Sequence, residues 1–320
     1  ASVAWPTVLV GRVVDRIGKG VRSAPRDAMI TASVEPKDYS RALGFHRSAD
    51  TLGAVLGPVF ALVGLAALNN DVRAVMWWAI VPAVGSMLLT LLVREPGRGS
   101  GVVANVVNNP GADDAVAPDG DENFGRLASR GLQLPRAFWS SALPVIIVAL
   151  TNLPDTLVLL RLSQLGASTE HVVLAYIAFN AVYTLAAYPA GVVAARLSPR
   201  AVYGVGLIAF GVAYAGLGLV SHIGISAYVL VALYGLFPAL TDGIGKSMVA
   251  STTPKRIHGT AQGVYQSLQG GAILIAGVWG GLLWSAGNGN GSVPLTIAGG
   301  CALVGAAYFL VSGRRNPGAE

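Results

Sequence analysis

Residues Ala201-Val-Tyr-Gly-Val-Gly-Leu-Ile-Ala-Phe210-Gly-Val-Ala-Tyr-Ala-Gly-Leu-Gly-Leu-Val220 run on without one Asp, Glu, Lys, Arg or His. A helix needs about 20 mostly apolar residues to cross the hydrocarbon core of a bilayer, so this stretch alone points to a membrane helix. Seven further runs meet or approach the same length: 43–68, 72–93, 137–160, 172–195, 225–248, 260–284 and 293–312. A ninth, 3–32, is amphipathic. The whole chain agrees with this reading: 53% of its 320 residues are hydrophobic and 12% are charged, against about a quarter charged in soluble domains. Most of the 41 glycines fall inside apolar runs, where small residues let helix backbones approach. An all-α integral membrane protein is expected, and an ordinary soluble enzyme is excluded.

The net charge of +6 does not point to nucleic acid, because the basic residues gather at the ends of apolar runs, as loop charges do in membrane proteins. Cys301 is the single cysteine, which excludes an intramolecular disulfide and a cysteine-based metal site. The opening Ala1-Ser-Val-Ala-Trp-Pro lacks the basic lead-in of a signal peptide. It has the character of an interior stretch of a longer product.

Connections between the runs are short and carry turn residues, such as Asn69-Asn70-Asp71, Ser198-Pro199 and Gly287-Asn-Gly-Asn-Gly291. The exception is 94–136, polar and with Asp113-Asp114 and Asp119-Gly-Asp121-Glu122, which is expected to be a flexible linker. Lys and Arg fall in alternate connections: Lys37 and Arg41, the linker arginines, Arg196 and Arg200, Lys255 and Arg256, Arg314 and Arg315. Cytoplasmic loops carry such an excess, so these connections and the C-terminus are expected on the cytoplasmic side of the cell membrane. Residues 27–53 also lie over 246–272 at a constant offset, matching Met29 with Met248, Ala42 with Ala261, Gly44 with Gly263 and Ser48 with Ser267. Duplicated halves are a known transporter design. The expected organisation is a partial N-terminal bundle of three helices over 1–93, the linker over 94–136, and a six-helix bundle over 137–320. Three helices of the second half lack a counterpart in the first, so about three helices, or about 90 residues, are expected upstream.

The stretch Gly11-Arg12-Val-Val-Asp15-Arg16-Ile-Gly18-Lys19-Gly20, continuing to Pro25-Arg26-Asp27, crowds acids and bases into an expected membrane helix. Arg16-Ile-Gly18-Lys19-Gly20 resembles the fourth-helix motif of the major facilitator superfamily, and Gly53-Ala-Val-Leu-Gly57-Pro58 resembles its fifth-helix Gly-Pro motif. The span through His46-Arg47-Ser-Ala-Asp50 is similar to a bacterial, largely uncharacterised group of permeases in that superfamily. The resemblance implies that about nine transmembrane helices, the fourth to the twelfth of a twelve-helix fold, are present. Gly191-Val-Val-Ala-Ala195-Arg196-Leu-Ser-Pro-Arg200 resembles the superfamily's loop motif, with Ala195 in place of the usual Asp, so the charge clamp that the motif implies is missing here.

Ionisable groups within membrane helices are expensive and are functional candidates by default. The pathway or coupling candidates are Asp15, Arg16, Arg26, Asp27, Arg47, Asp50, Asp155, Arg161, Asn180, Asp242, Lys246, Gln266 and Gln269, with Gln262 on the same amide line. One reading pairs Arg47 with Asp50 and Asp242 with Lys246 locally, since residues three or four apart share a helix face. The other makes Asp50 or Asp242 a proton carrier that loads and unloads during a transport cycle. Under the repeat, Arg47 overlies Gln266 and Asp50 overlies Gln269, a charged line in one half facing an amide line in the other. His46 lies within a candidate pathway, while His171, His222 and His258 fall in connections, so no metal site is expected. Trp77, Trp78, Trp139, Trp279 and Trp284 sit near run ends, where membrane interfaces collect tryptophan.

The resemblance implies a secondary transporter of a small solute, working by alternating access, and a proton gradient is the expected drive. The competing reading is a membrane receptor or scaffold that keeps the fold without transporting. A membrane enzyme is disfavoured: neither a G-x-S-x-G nucleophile motif nor a phosphate loop occurs, and Gly18-Lys19-Gly20 lacks the Walker spacing. No cofactor is expected. The partners are the solute, protons and the lipid bilayer.

Overall fold

The computed structural model describes residues 23–69, 71–90, 134–287 and 289–315. Every regular element in them is helical, as expected. Helix α1 covers 23–32 of the described part. A 3-10 turn, Pro36–Asp38, leads into α2 (Tyr39–Ala67), followed by α3 (Val72–Trp78) and α4 (Ile80–Thr90). The remaining helices are α5 (Arg136–Ala149), α6 (Asp155–Gln164), α7 (Thr169–Arg196), α8 (Pro199–Leu219), α9 (Ile225–Ser251), α10 (His258–Leu282) and α11 (Ser292–Arg315). The expected linker falls almost wholly outside the described residues, as do Asp15, Arg16, Gly18 and Gly20.

Helix boundaries follow local chemistry. Asp71 caps α3 by accepting from the Arg73 and Ala74 amides at 2.9 and 3.3 Å, and Asn69 before it takes a left-handed φ of 52°. Ser198 caps α8 through the Ala201 amide, with Pro199 in the first turn, where its missing N–H costs nothing. Two runs expected as single helices are broken. Run 72–93 divides at Ala79, because Pro82 cannot donate to the preceding turn and its ring crowds the carbonyl four residues back. Run 137–160 divides at Thr151-Asn-Leu-Pro154, where Pro154 disfavours helical geometry at Leu153. Two bonds from other helices repair that break: Trp279 Nε1 donates to the Leu150 carbonyl at 2.8 Å, and Tyr214 donates to the Leu153 carbonyl at 3.0 Å.

Among the described residues five helical spans are long and apolar enough to cross a membrane: Pro36–Ala67, Thr169–Arg196, Pro199–Leu219, Ile225–Ser251 and Ser292–Gly313. The 25-residue α10 has the length, but its glutamines at 262, 266 and 269 dilute its hydropathy. The burial pattern is that of a bundle in lipid. Leu185, Leu219, Ile225, Leu282 and Val304 all point outward, while Phe138, Leu207, Phe210, Tyr214 and Leu295 form the interior. Trp77 and Trp78 are exposed, whereas Trp279 packs against the interior. Helix α8 packs on α11 through glycine: a Cβ on Gly211 would lie 2.6 Å from Leu303 Cγ, and one on Gly299 would lie 2.6 Å from the Ala215 amide nitrogen. Without a hydrophobic drive between helices in lipid, this closeness and its dispersion contacts hold the pair.

Candidate functional site

The helices before and after the 91–133 stretch meet along a seam at one end of the molecule. That end carries the connections with Lys37, Arg196, Arg200, Lys255 and Arg256. Two glycines make the approach possible. A Cβ on Gly44 of α2 would lie 2.7 Å from the Ala187 carbonyl oxygen of α7, and a Cβ on Gly191 of α7 would overlap the Ser40 carbonyl oxygen. Helix α9 crosses the same place, where a Cβ on Gly243 would lie 3.2 Å from Leu43 backbone. Short polar contacts line the seam. Ser40 and Ser247 hydroxyls are 2.7 Å apart, Ser48 donates to the Thr184 carbonyl at 2.6 Å, and Thr184 donates to Thr51 at 3.0 Å. His258, placed in a connection by its sequence position, instead opens α10 and is buried, with Nδ1 3.1 Å from Thr31 Oγ1 and Nε2 2.8 Å from the Thr253 carbonyl.

Two charged groups cross this seam. In the first, Lys246 Nζ of α9 lies 2.5 Å from Asp27 Oδ2 of α1, and both residues are buried. Gln266 Nε2 of α10 donates to the same carboxylate at 3.3 Å, and Ser23 donates to Gln266 Oε1 at 2.7 Å. Arg26 approaches the other Asp27 oxygen at 3.4 Å. In the second, Arg47 of α2 stands between two acids, 3.2 Å from Asp50 on its own helix and 3.4 Å from Asp242 on α9. Tyr183 of α7 donates to Asp242 at 2.6 Å. Asp50 is 47% exposed at its side chain and Asp242 30%, so this cluster is the accessible one. One cation faces two carboxylates there, a surplus negative charge when both are ionised.

The expected local pairing therefore holds for Arg47 with Asp50 but not for Asp242 with Lys246. Those two residues share a face of α9, yet each turns across the seam to a partner on another helix. Burial decides this, because an ammonium held away from water needs a counter-charge as close as Asp27.

The internal repeat gives the arrangement its geometry. Asp27 and Lys246 are 219 positions apart, which is the offset between the two copies, so under the repeat the buried pair joins equivalent positions. The same offset carries Arg47 to Gln266 and Ser23 to Asp242. The Arg47–Asp242 contact is thus the counterpart of the Ser23–Gln266 contact. One seam is closed by charge and its image by neutral hydrogen bonds.

The other candidates lie away from this ring. Asn180 is buried on α7 and donates to the Tyr176 carbonyl at 2.9 Å. Asp155 accepts from Tyr234 at 2.7 Å at the start of α6, beside an aromatic group in which Phe179 and Tyr234 rings stack at 5.0 Å. Gln269 is half-buried one turn beyond Gln266. A Cβ on Gly53 or Gly57 would meet nothing within 4 Å, and Pro58 lies inside α2. Arg196 ends α7 and Arg200 lies in the first turn of α8; neither makes an ion pair among the described residues. The loop pair Lys37–Glu35, at 2.7 Å, is solvated, and the lysine hydrogen bond holds the Glu35 carboxyl below its ordinary range.

Arg161 lies apart from both charged groups, at the end of α8. Buried at 2% exposure, it donates to three carbonyls, Leu217 at 3.0 Å, Val220 at 2.6 Å and Asn290 at 2.9 Å, and so closes the end of α8. Arg161→Leu is expected to lower stability by about 3 kcal/mol by orphaning these acceptors, measured as a fall in thermal midpoint in detergent with solute exchange preserved in the protein that remains folded.

Sequence reasoning did not single out Tyr183, Tyr234 or Ser23. Tyr183 follows Asn180 by three residues and Tyr234 precedes Asp242 by eight, so the helical spacing of a shared face was a signal available for both.

A family model for the Major Facilitator Superfamily matches residues 1–160 and again 136–320. The chain is also similar to an uncharacterised MFS-type transporter of Methanocaldococcus jannaschii, 25% identical over 290 residues that cover 88% of this chain and 67% of that protein.

Proposed function

The chain belongs to the major facilitator superfamily of membrane transporters, and from that premise we propose that it moves a small solute by alternating access, with proton coupling at the Arg47, Asp50 and Asp242 cluster. Two helical bundles, one before and one after the linker, rock against each other, and the end with the basic connections faces the cytoplasm. The supporting observation is that one guanidinium is shared by two carboxylates on helices from opposite sides of the seam. When the bundles part, Arg47 stays with Asp50 on its own helix and Asp242 loses its cation. A carboxylate stripped of its cation in a membrane is costly unless it takes a proton or meets water, so opening the seam and loading a proton are linked.

Uptake by the intact protein in liposomes tests this. Asp242→Asn is expected to abolish accumulation driven by a proton gradient while solute exchange continues, because the amide keeps the shape and removes the titrating group. Asp50→Asn, which leaves Asp242 to titrate, is expected to weaken accumulation less. Accumulation unchanged in both variants rejects the proton role of this cluster, and no uptake by the unaltered protein favours the receptor or scaffold reading.

A further inference from the structure

Gln262 of α10 is fully buried, and only half of its amide is used. Nε2 donates to the Lys246 carbonyl at 2.8 Å, while Oε1 has no hydrogen-bond partner among the described residues. Turning the amide over would set Oε1 against the Lys246 carbonyl, acceptor facing acceptor, so the bond to Lys246 fixes which atom is left over. A buried acceptor without a donor is a standing cost that a protein retains for a reason. The position equivalent to Gln262 under the repeat offset is Leu43, which is buried and apolar. The amide is therefore particular to the half that carries Lys246.

We infer that Gln262 Oε1 is the resting acceptor for the Lys246 ammonium when Asp27 withdraws, a positioning role that rests on the rocking motion proposed above. Lys246 has three N–H donors, and α9 and α10 lie on the same side of the seam, tied by the Gln262 bond to the Lys246 backbone. That tie keeps Gln262 beside Lys246 while α1 moves off with Asp27. Asp27 for its part keeps Arg26, next to it on its own helix. Each member of the buried pair then has a companion in its own half, so separation leaves neither charge bare. Asp242, one turn away on α9, and Gln266 Oε1, which gives up Ser23 as α1 leaves, are further acceptors on that side. The buried Gln262 oxygen adds one tied to the Lys246 backbone, which lowers the cost of breaking a buried pair.

The test uses a reporter cysteine at Ser40, buried in the closed seam and remote from Gln262 in sequence, in a Cys301→Ala background. The rate of its reaction with N-ethylmaleimide in the intact, liposome-embedded protein reads how often the seam opens. Gln262→Leu, which copies the equivalent residue, is expected to slow labelling about tenfold, the weight of one hydrogen bond to a charged group. Gln262→Glu is expected to speed it about tenfold, because a fixed carboxylate beside Lys246 competes with Asp27. Both variants lose the Nε2 bond to the Lys246 carbonyl, so a merely structural amide would shift labelling in the same direction in both. Shifts in the same direction, or none in either variant, overturn the inference while leaving the rocking motion in place. A reporter that is never labelled, even with Gly191→Leu wedged into the seam, overturns the motion itself and the role of Gln262 with it.

Discussion

Replacing Lys246 by Met alone is expected to lower stability by about 3–5 kcal/mol, whereas the double replacement Lys246→Met with Asp27→Leu is expected to restore it and yet abolish transport. The single change leaves the Asp27 carboxylate buried with only half-exposed Arg26 and the Gln266 amide beside it. An uncompensated buried charge carries that penalty. The double change removes both desolvated ions and puts apolar groups of similar volume against each other, which is often neutral or stabilising by about 1–4 kcal/mol. Such a joint cannot be broken by exchanging a charge partner, so the seam stays shut. The measurement pairs a thermal unfolding midpoint in detergent with solute exchange in liposomes. If the double variant regains stability and also transports at the original rate, the buried pair has no part in the cycle.

A side chain at Gly191 is expected to have the opposite effect on the same seam. A Cβ there would overlap the Ser40 carbonyl oxygen and lie 3.2 Å from Gly44 Cα. These are backbone atoms, which cannot rotate away, so α2 and α7 must separate. Overpacking of this kind costs about 1–3 kcal/mol, and the cost falls on the closed arrangement alone. It corresponds to a shift of about 5–150-fold toward the open seam. Gly191→Leu should thus raise N-ethylmaleimide labelling of the Ser40 reporter by about 5–150-fold and slow transport, since the proposed alternating-access cycle closes this end once per turn. Unchanged labelling would mean that α2 and α7 are not joined at these glycines during the cycle.

The charged pair and the glycine contact hold the seam by different physics. An ion pair buried in a seam contributes little net stability, because desolvation offsets its attraction, but it gives the seam a partner that can be exchanged. Glycine contacts work through dispersion and closeness and are sensitive to a single methyl group. The charged Arg47–Asp242 contact and its neutral counterpart under the repeat, Ser23–Gln266, divide these parts unequally between the two contacts. The charged side is the one where Asp50 and Asp242 are reachable from outside.

What the amino-acid sequence determined by itself is the part of the fold set by local rules. Runs such as 201–220 must be helical in a bilayer, because each backbone polar group has to be satisfied within its own segment. Turn residues such as Asn69, Asp71 and Ser198 mark helix ends through bonds to atoms a few positions away. Even the breaks at Ala79 and before Asp155 follow from Pro82 and Pro154, although the length of the apolar runs hid them. The pairing of charges obeys no such rule. Asp242 and Lys246 stand one helical turn apart and look like partners in the chain, but Asp242 is bound by Arg47 and Tyr183, and Lys246 by Asp27. His258 becomes buried against Thr31, and Arg161 becomes a cap for three carbonyls. In each case the partner is supplied by whichever helix packs opposite, and close packing of Gly44 on Gly191 sets which one that is. Only the tertiary structure decides it, because the energy of a buried charge depends on the atoms brought within about 3–4 Å of it, and those atoms lie far away along the chain.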